Sequence, residues 1–341
     1  VNKINIDNEG NVLIASTISN TSGPDVSYKT SITKLAPDNT ILWTKEGVSE
    51  FGSYTKSILI DNDNNCYWVG ESSDLILEDG YSIQDTTTWD FGFIIKFSSI
   101  GERLDIKRLP SISSAYLKDQ QFYVVQYIYD TIDYNMIGMR TLKYDMSFNS
   151  KWQKDILNIR PEYSGWFANY EMNISVDDQG GIYLLGGMSG DSLIFANDTL
   201  SEISQESSLL FNSNTGIYLF KYNKDGEEVW ANKTGGELTN SGVALLVYGE
   251  DEVIIAGVFQ DDTLQFGDLN LYNDNKIDTL IFIHGHLILS KPVYSYFASF
   301  GKIKTGIHQF KTFQAKLYPN PSKDEILIES PEFLDRPEIG R

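Results

Sequence analysis

At 341 residues and 38.5 kDa, with a formal net charge of -20 and a pI near 4.5, the chain is acidic enough to repel phosphate backbones and anionic lipid, which excludes nucleic acid as an expected partner. Hydrophobic residues at 41% and aromatics at 13%, many of them Tyr and Phe beside β-branched residues, favour an ordered core built from strands. The single cysteine, Cys66, rules out an intrachain disulfide and a thiolate metal cluster, and the most apolar run, Leu280 to Leu289, is too short to span a bilayer.

The first predicted element is the alternating stretch Ile4-Asn5-Ile6, which runs into the turn cluster Asp7-Asn8-Glu9-Gly10 and out through Asn11-Val12-Leu13. This hairpin recurs at Asp61-Asn62-Asp63-Asn64-Asn65-Cys66-Tyr67 and at Asp177-Asp178-Gln179-Gly180-Gly181-Ile182-Tyr183, with looser copies at Leu117 to Tyr123 and Tyr248 to Ile254. Successive copies stand roughly fifty to seventy residues apart. Because the chain is already inside the repeat at Ile4, it is expected to be a fragment that starts within a structural unit.

A second periodic hairpin follows each copy of the first. Lys34, Lys96, Lys143 and Lys221 each come after apolar residues, and nine positions on stand Trp43, Asp105, Trp152 and Trp230. Lys291 with Phe300 makes a faint fifth copy, weakened by Pro292. Two hairpins give four strands, a unit the size of a β-propeller blade, and five such units are visible. A four-stranded sheet apolar on both faces must be stacked between neighbours, so the tryptophans are expected to fill gaps between blades. The segments before each Asp anchor, such as Ser57 to Ile60 and Ile174 to Val176, are predicted to be innermost, around a channel.

In an antiparallel meander alternate connections emerge at the same end. The short turns, Asp7 to Gly10 and Asn223-Lys224-Asp225-Gly226, therefore share one face, and the long, variable connections after Ala15, Gly70 and Gly186 share the other, where binding usually evolves. On that second face the crossing Pro161 to Tyr170 carries Tyr163, Trp166 and Phe167, the predicted ligand-binding residues, whose rings can stack on a sugar or anchor a protein. Packing between blades explains the same rings equally well.

No catalytic residue, metal ligand or cofactor site is expected. The chain has no Gly-x-Ser-x-Gly elbow, no His-Glu-x-x-His and no phosphate-binding glycine loop, and its only histidines are His284, His286 and His308. Asp61 to Asn65 opens like a calcium loop, but its twelfth position is Ser72 where a bidentate glutamate is needed.

After Asp278 the pattern loosens, with Ile283-His284-Gly285-His286-Leu287 where a regular third strand is expected. From Gln309 a linker is expected, which divides the chain into repeats over 1-310 and a linker with a truncated domain over 311-341. There Leu317-Tyr318-Pro319-Asn320-Pro321-Ser322 is a stiff turn that enters the alternating strand Glu325 to Glu329.

The pattern Asp-x-x-Gly-Asn/Gly-x-Tyr-x-x-Gly followed by Phe-Lys-Tyr-x-x-x-Gly-x-x-x-Trp, as at Asp177 to Gly186 and Phe220 to Trp230, resembles the repeats of secreted bacterial β-propeller proteins over Val1 to Phe310. That resemblance implies an all-β propeller and is silent on chemistry. The segment Tyr318-Pro319-Asn320-Pro321 resembles the opening of the β-sandwich C-terminal sorting domain used by the type IX secretion system of Bacteroidetes-type bacteria, although the later glycine and lysine motifs of such domains are missing. It implies export by that machinery to the cell surface or beyond. Triplets such as Asp130-Thr131-Ile132 and Asp191-Ser192-Leu193 are similar to O-glycosylation acceptors of those exported proteins, and equally to strand-entry turns. The function expected from these signals is a non-catalytic surface scaffold for protein or glycan. The alternatives are an accessory propeller of a secreted enzyme whose catalytic domain lies outside this chain, and a carboxylate-based glycan hydrolase or lyase.

Overall fold

The computed structural model describes residues 3–20, 27–50, 52–84, 91–130, 136–158, 172–188, 192–195, 198–201, 216–234, 240–249, 252–260, 262–266, 269–272, 279–283, 286–290, 294–302 and 308–312. These residues form an all-β structure with five four-stranded antiparallel meanders. The first sheet comprises Lys3–Ile6, Val12–Asn20, Ser27–Leu35 and Ile41–Ser49. The second comprises Ser53–Ile60, Cys66–Ser72, Phe91–Phe97 and Arg103–Pro110, and the third Ile112–Lys118, Gln121–Tyr129, Met136–Asp145 and Ser150–Asn158. The fourth comprises Met172–Val176, Ile182–Met188, Gly216–Tyr222 and Glu228–Thr234, and the fifth Asn240–Tyr248, Glu252–Phe259, Tyr294–Lys302 and His308–Thr312.

Strand periodicity explains how these sheets stack. Successive side chains on a strand point to opposite faces, so a run such as Cys66–Ser72, buried throughout, must be covered on both sides. Cys66 and Trp68 pack with Leu13, Ala15 and Ile32 of the first sheet, whereas Tyr67 and Val69 pack with Phe122, Val124 and Leu142 of the third. The same division places Tyr123 and Val125 against Ile182, Leu184 and Phe220 of the fourth sheet, and Tyr183 and Leu185 against Val253 and Ile255 of the fifth. Each consecutive pair of sheets thus has its own core. Trp68 is fully buried, and its Nε1 donates to Thr55 Oγ1 at 2.8 Å. Thr55→Val strands that indole N–H and is expected to cost about 1–3 kcal/mol in urea unfolding. An unchanged midpoint would show that the bond adds nothing.

Two insertions that the sequence shows only as variable connections are hairpins that extend a neighbour. Asp74–Leu77 and Ser82–Gln84, inserted between the second and third strands of the second sheet, continue the first sheet, with Gly47 opposite Leu77 and Val48 opposite Ile76. Ser192–Phe195 and Asp198–Ser201 extend the third sheet in the same way. Each covers an edge that would otherwise present unpaired backbone groups. Leu75 seals the first of them, so close to Gly47 that a Cβ there would lie 2.7 Å from its Cδ1.

The two periodic sequence signals converge in one row across each of the first four sheets. Lys34 stands opposite Leu13 on one side and Trp43 on the other, Lys143 between Tyr123 and Trp152, and Lys221 between Tyr183 and Trp230. The Asp anchor closes the row. Lys34 Nζ lies 2.8 Å from Asp7, Lys96 3.7 Å from Asp61 and Lys221 4.0 Å from Asp177, and Lys96, Lys143 and Lys221 sit over the rings of Tyr67, Tyr123 and Tyr183. The third sheet breaks the rule: a two-residue turn, Asp119 and Gln120 at φ 49° and 58°, puts Lys118 in the anchor position. The copy expected at Leu117 is therefore one residue shorter than its siblings.

The rows also bind one sheet to the next. Trp43 Nε1 and Lys34 Nζ both donate to the Ser99 carbonyl at 3.1 Å, in the last turn of the second sheet, and Lys143 Nζ donates to the Lys224 carbonyl at 3.3 Å in the last turn of the fourth. A Cβ on Gly101 would meet Trp43 at 2.8 Å, and one on Gly226 would meet Trp152 at 2.7 Å. The expectation that the tryptophans fill gaps between sheets holds at both places.

The fifth sheet corrects three expectations. Its third strand is Tyr294–Lys302, so Lys291 is not the counterpart of Lys221; Ser299 takes that place opposite Ile254. Thr279–Ile283 and His286–Ser290 form an inserted hairpin and not a distorted third strand. His308–Thr312 pairs with Tyr294–Lys302 as a fourth strand, through the point where a linker was expected at Gln309. Among the described residues, no helix is long and apolar enough to cross a membrane.

Candidate functional site

The first strand of every sheet lies at its inner edge, and these five edges meet. A cavity of about 420 Å³ is lined by Lys3 to Asn5, Lys56 to Ile60, Ser114 to Leu117, Asn173 with Ile174, and Leu245, one contribution from each sheet. Polar side chains hold the edges in place by bonding across them. Asn5 Nδ2 donates to the Ile58 carbonyl at 2.8 Å, and Ser57 Oγ accepts from Ala115 N at 3.1 Å. Ser113 Oγ accepts from Met172 N at 2.8 Å and Ser175 Oγ from Val247 N at 3.3 Å. The Ser57 to Ile60 and Ile174 to Val176 segments are thus inner strands, as their place in the repeat predicts.

At the short-turn end of the cavity the anchors are saturated by donors. Asp61 Oδ1 accepts from Asp63 N and Asn65 N, while Oδ2 accepts from Asn65 Nδ2 and the Tyr67 hydroxyl, all within 2.9–3.0 Å. Burial pushes this carboxyl's pKa up, but those bonds and Lys96 outweigh it and leave it below the ordinary value. The calcium-like run is therefore a turn in which both Asp61 oxygens are already engaged. Burial raises the Cys66 thiol far above its usual range, which makes it unreactive.

The long-connection end differs. A bulge between Thr55 and Ser57 turns Lys56 out of the ladder, and its ammonium lies 3.2 Å from Glu71 Oε2, with only 11% and 10% of the two side chains exposed. The Ser111 hydroxyl donates to the other oxygen of Glu71. The Ser111 carbonyl accepts from Tyr127 N at 3.2 Å, and Lys56 Nζ lies 5.9 Å from the Tyr127 ring centre. Gln126 shares the face of Phe122 and Val124 that packs on the second sheet, 4% exposed, and its Nε2 has no hydrogen-bond partner among the described residues. Beside it Arg140 grips Asp155 through two 2.7 Å bonds. Tyr54 and Tyr129, both nearly half exposed, rim this seam, their rings 6.2 Å from Tyr28 and Tyr127.

Of the residues predicted from sequence, Tyr163, Trp166 and Phe167 lie outside the described residues, as do Tyr318, Pro319, Asn320 and Pro321. The strands that flank the first three, Ser150–Asn158 and Met172–Val176, end and begin at the same end as the Lys56–Glu71 seam. Nothing in the sequence marked the seam. Its members come from four different strands and connections, and the bulge that aims Lys56 has no residue signature. Among the described residues, no group of three or more His, Cys, Asp or Glu side chains is placed to hold a metal.

No family model and no curated protein matches the chain. Among solved structures it is similar to an acylaminoacyl peptidase in complex with Z-Gly-Gly-Phe-chloromethyl ketone, at 10% identity and a TM-score of 0.35, over 95% of this chain and 56% of that one. It is also similar to Pyrococcus horikoshii acylaminoacyl peptidase, at 12% identity and a TM-score of 0.27, over 87% and 56%. The chain thus spans just over half the length of the structures it matches.

Proposed function

We propose that the five sheets are blades of a β-propeller and that the protein is an exported, non-catalytic scaffold which binds glycan or protein through its long-connection face. The observation that carries this reading is the shared cavity: five edge strands, one per sheet, line it, and one of its lining residues, Lys56, pairs with the buried carboxylate of Glu71 beside exposed tyrosines. Stacked antiparallel sheets around a common axis leave the connections free to vary, which is how such scaffolds acquire ligands. Export through the type IX machinery rests on the Tyr318 to Pro321 segment alone.

The binding reading is tested by adhesion of the purified chain to immobilised glycans and outer-membrane proteins, with product release followed in parallel. Retention without turnover is expected, and release of cleaved glycan would move the protein into the enzyme class. For export, the complete parent expressed in a cell with the type IX machinery should appear outside with its C-terminus removed. Periplasmic retention with an intact C-terminus would reduce the Pro-Asn-Pro segment to an ordinary turn.

A further inference from the structure

We infer that the seam between the second and third sheets, formed by Lys56, Glu71, Ser111 and Gln126 under Tyr54, Tyr127 and Tyr129, is a binding site for a neutral sugar ring. The inference rests on the binding-scaffold reading and names its ligand class. It begins with Gln126, 4% exposed, whose amide nitrogen has no acceptor among the described residues. A buried N–H without an acceptor is costly, and one that faces a seam of other polar groups is placed to receive an acceptor from outside the chain.

The neighbours decide what kind of acceptor. Ionised Glu71 can only accept hydrogen bonds, whereas Lys56 and the Gln126 amide nitrogen can only donate. A ligand that satisfies both must offer donors and acceptors side by side, as adjacent hydroxyls on a pyranose do. One hydroxyl donates to Glu71, as the Ser111 hydroxyl already does, and its neighbour accepts from Gln126. An anionic ligand would meet Glu71 in a chain of formal net charge -20, and a cation would have to displace Lys56 from its 3.2 Å contact. The tyrosines supply the remaining element. Tyr54 stands opposite Glu71 in the strand register, and the Tyr127 ring centre lies 5.9 Å from the Lys56 ammonium, so aromatic rings border the ion pair where the C–H face of a sugar would lie. Lys56 also lines the axial cavity, which gives a longer glycan room to continue.

Saturation-transfer NMR with the methyl glycosides of glucose, galactose and mannose, and with methyl glucuronide as the anionic control, tests the site. Transfer to at least one neutral glycoside and none to the glucuronide is expected. Gln126→Leu should weaken that binding about tenfold or more while the thermal midpoint stays level or rises, because the substitution removes an unsatisfied buried donor. Glu71→Gln should abolish transfer in whatever fraction remains folded. No transfer to any neutral glycoside, transfer only to the glucuronide, or transfer unchanged in Gln126→Leu would each overturn the assignment. Adhesion to immobilised surface material, measured on the same samples, separates the two readings: adhesion that persists without sugar binding sinks the site and leaves the scaffold, and sugar binding without adhesion does the reverse.

Discussion

Lys34→Met is expected to destabilise the protein by about 3–5 kcal/mol, because it leaves Asp7 charged and without its counter-ion in a site from which water is excluded. The two side chains are 3% and 0% exposed, and the 2.8 Å contact between them joins the first hairpin of the first sheet to its third strand. Lys34 also donates to Ser99, so its loss loosens the second sheet as well. Asp7→Asn should cost less, since an amide can keep the acceptor bonds to Glu9 N and Asn11 N. Replacing both with apolar residues of similar size should recover much of the loss, as removal of a whole buried pair is far cheaper than removal of half. Urea unfolding of the three variants measures this; equal costs for Lys34→Met and the double variant would show that the pair is not coupled. A pH dependence accompanies it. Burial raises the Asp7 carboxyl, but Lys34 and Asn11 outweigh burial and hold it below its ordinary 3.8. A depressed carboxyl contributes stability above its unfolded pKa and loses it as pH falls through the folded value. Wild type should therefore lose stability as pH falls below about 4, and Asp7→Asn should show a shallower fall over that range.

The repeat was legible because each half carries its own invariant chemistry. Asp7, Asp61 and Asp177 are needed to accept the backbone N–H groups of a tight turn, and Lys34, Lys96 and Lys221 follow in every full copy. That these two series meet was not legible, since the Asp and the Lys lie on strands separated by a connection of variable length. The clasp hairpin Asp74–Leu77 with Ser82–Gln84 did carry a signal, Asp79-Gly80 between alternating apolar residues. Its meaning was hidden because it pairs with the preceding sheet and leaves the sheet that contains it. The Lys56–Glu71 seam was invisible for a different reason: Ser111 and Gln126 come from the next sheet, and only the stacking of two sheets brings a lone lysine and a lone glutamate of the second sheet up against them.

Gly226→Phe is expected to cost about 2–5 kcal/mol, the sum of about 1–3 for overpacking and about 1–2 for a side chain in left-handed backbone. Gly226 has φ 81° and its missing Cβ would lie 2.7 Å from Trp152, so the tryptophan of the third sheet occupies the space over that turn. The second and third sheets show what happens when the roles are exchanged. At the positions of Trp152 and Gly226 they carry Asp105 and Phe148, and Phe148, at φ 59°, covers its own turn by stacking on Phe122 at 4.8 Å beneath Lys107. At the first three junctions an aromatic ring covers the turn, supplied by the strand before it (Trp43, Trp152) or by the turn itself (Phe148). The double variant Trp152→Asp with Gly226→Phe rebuilds the second arrangement in the place of the first. It should recover more than half of what Gly226→Phe loses, leaving chiefly the backbone strain, with a coupling energy of about 1–3 kcal/mol between the two positions. Additive losses in the unfolding midpoints of the two single variants and the double would mean that the ring at each junction is held by its own sheet and not by the space between sheets.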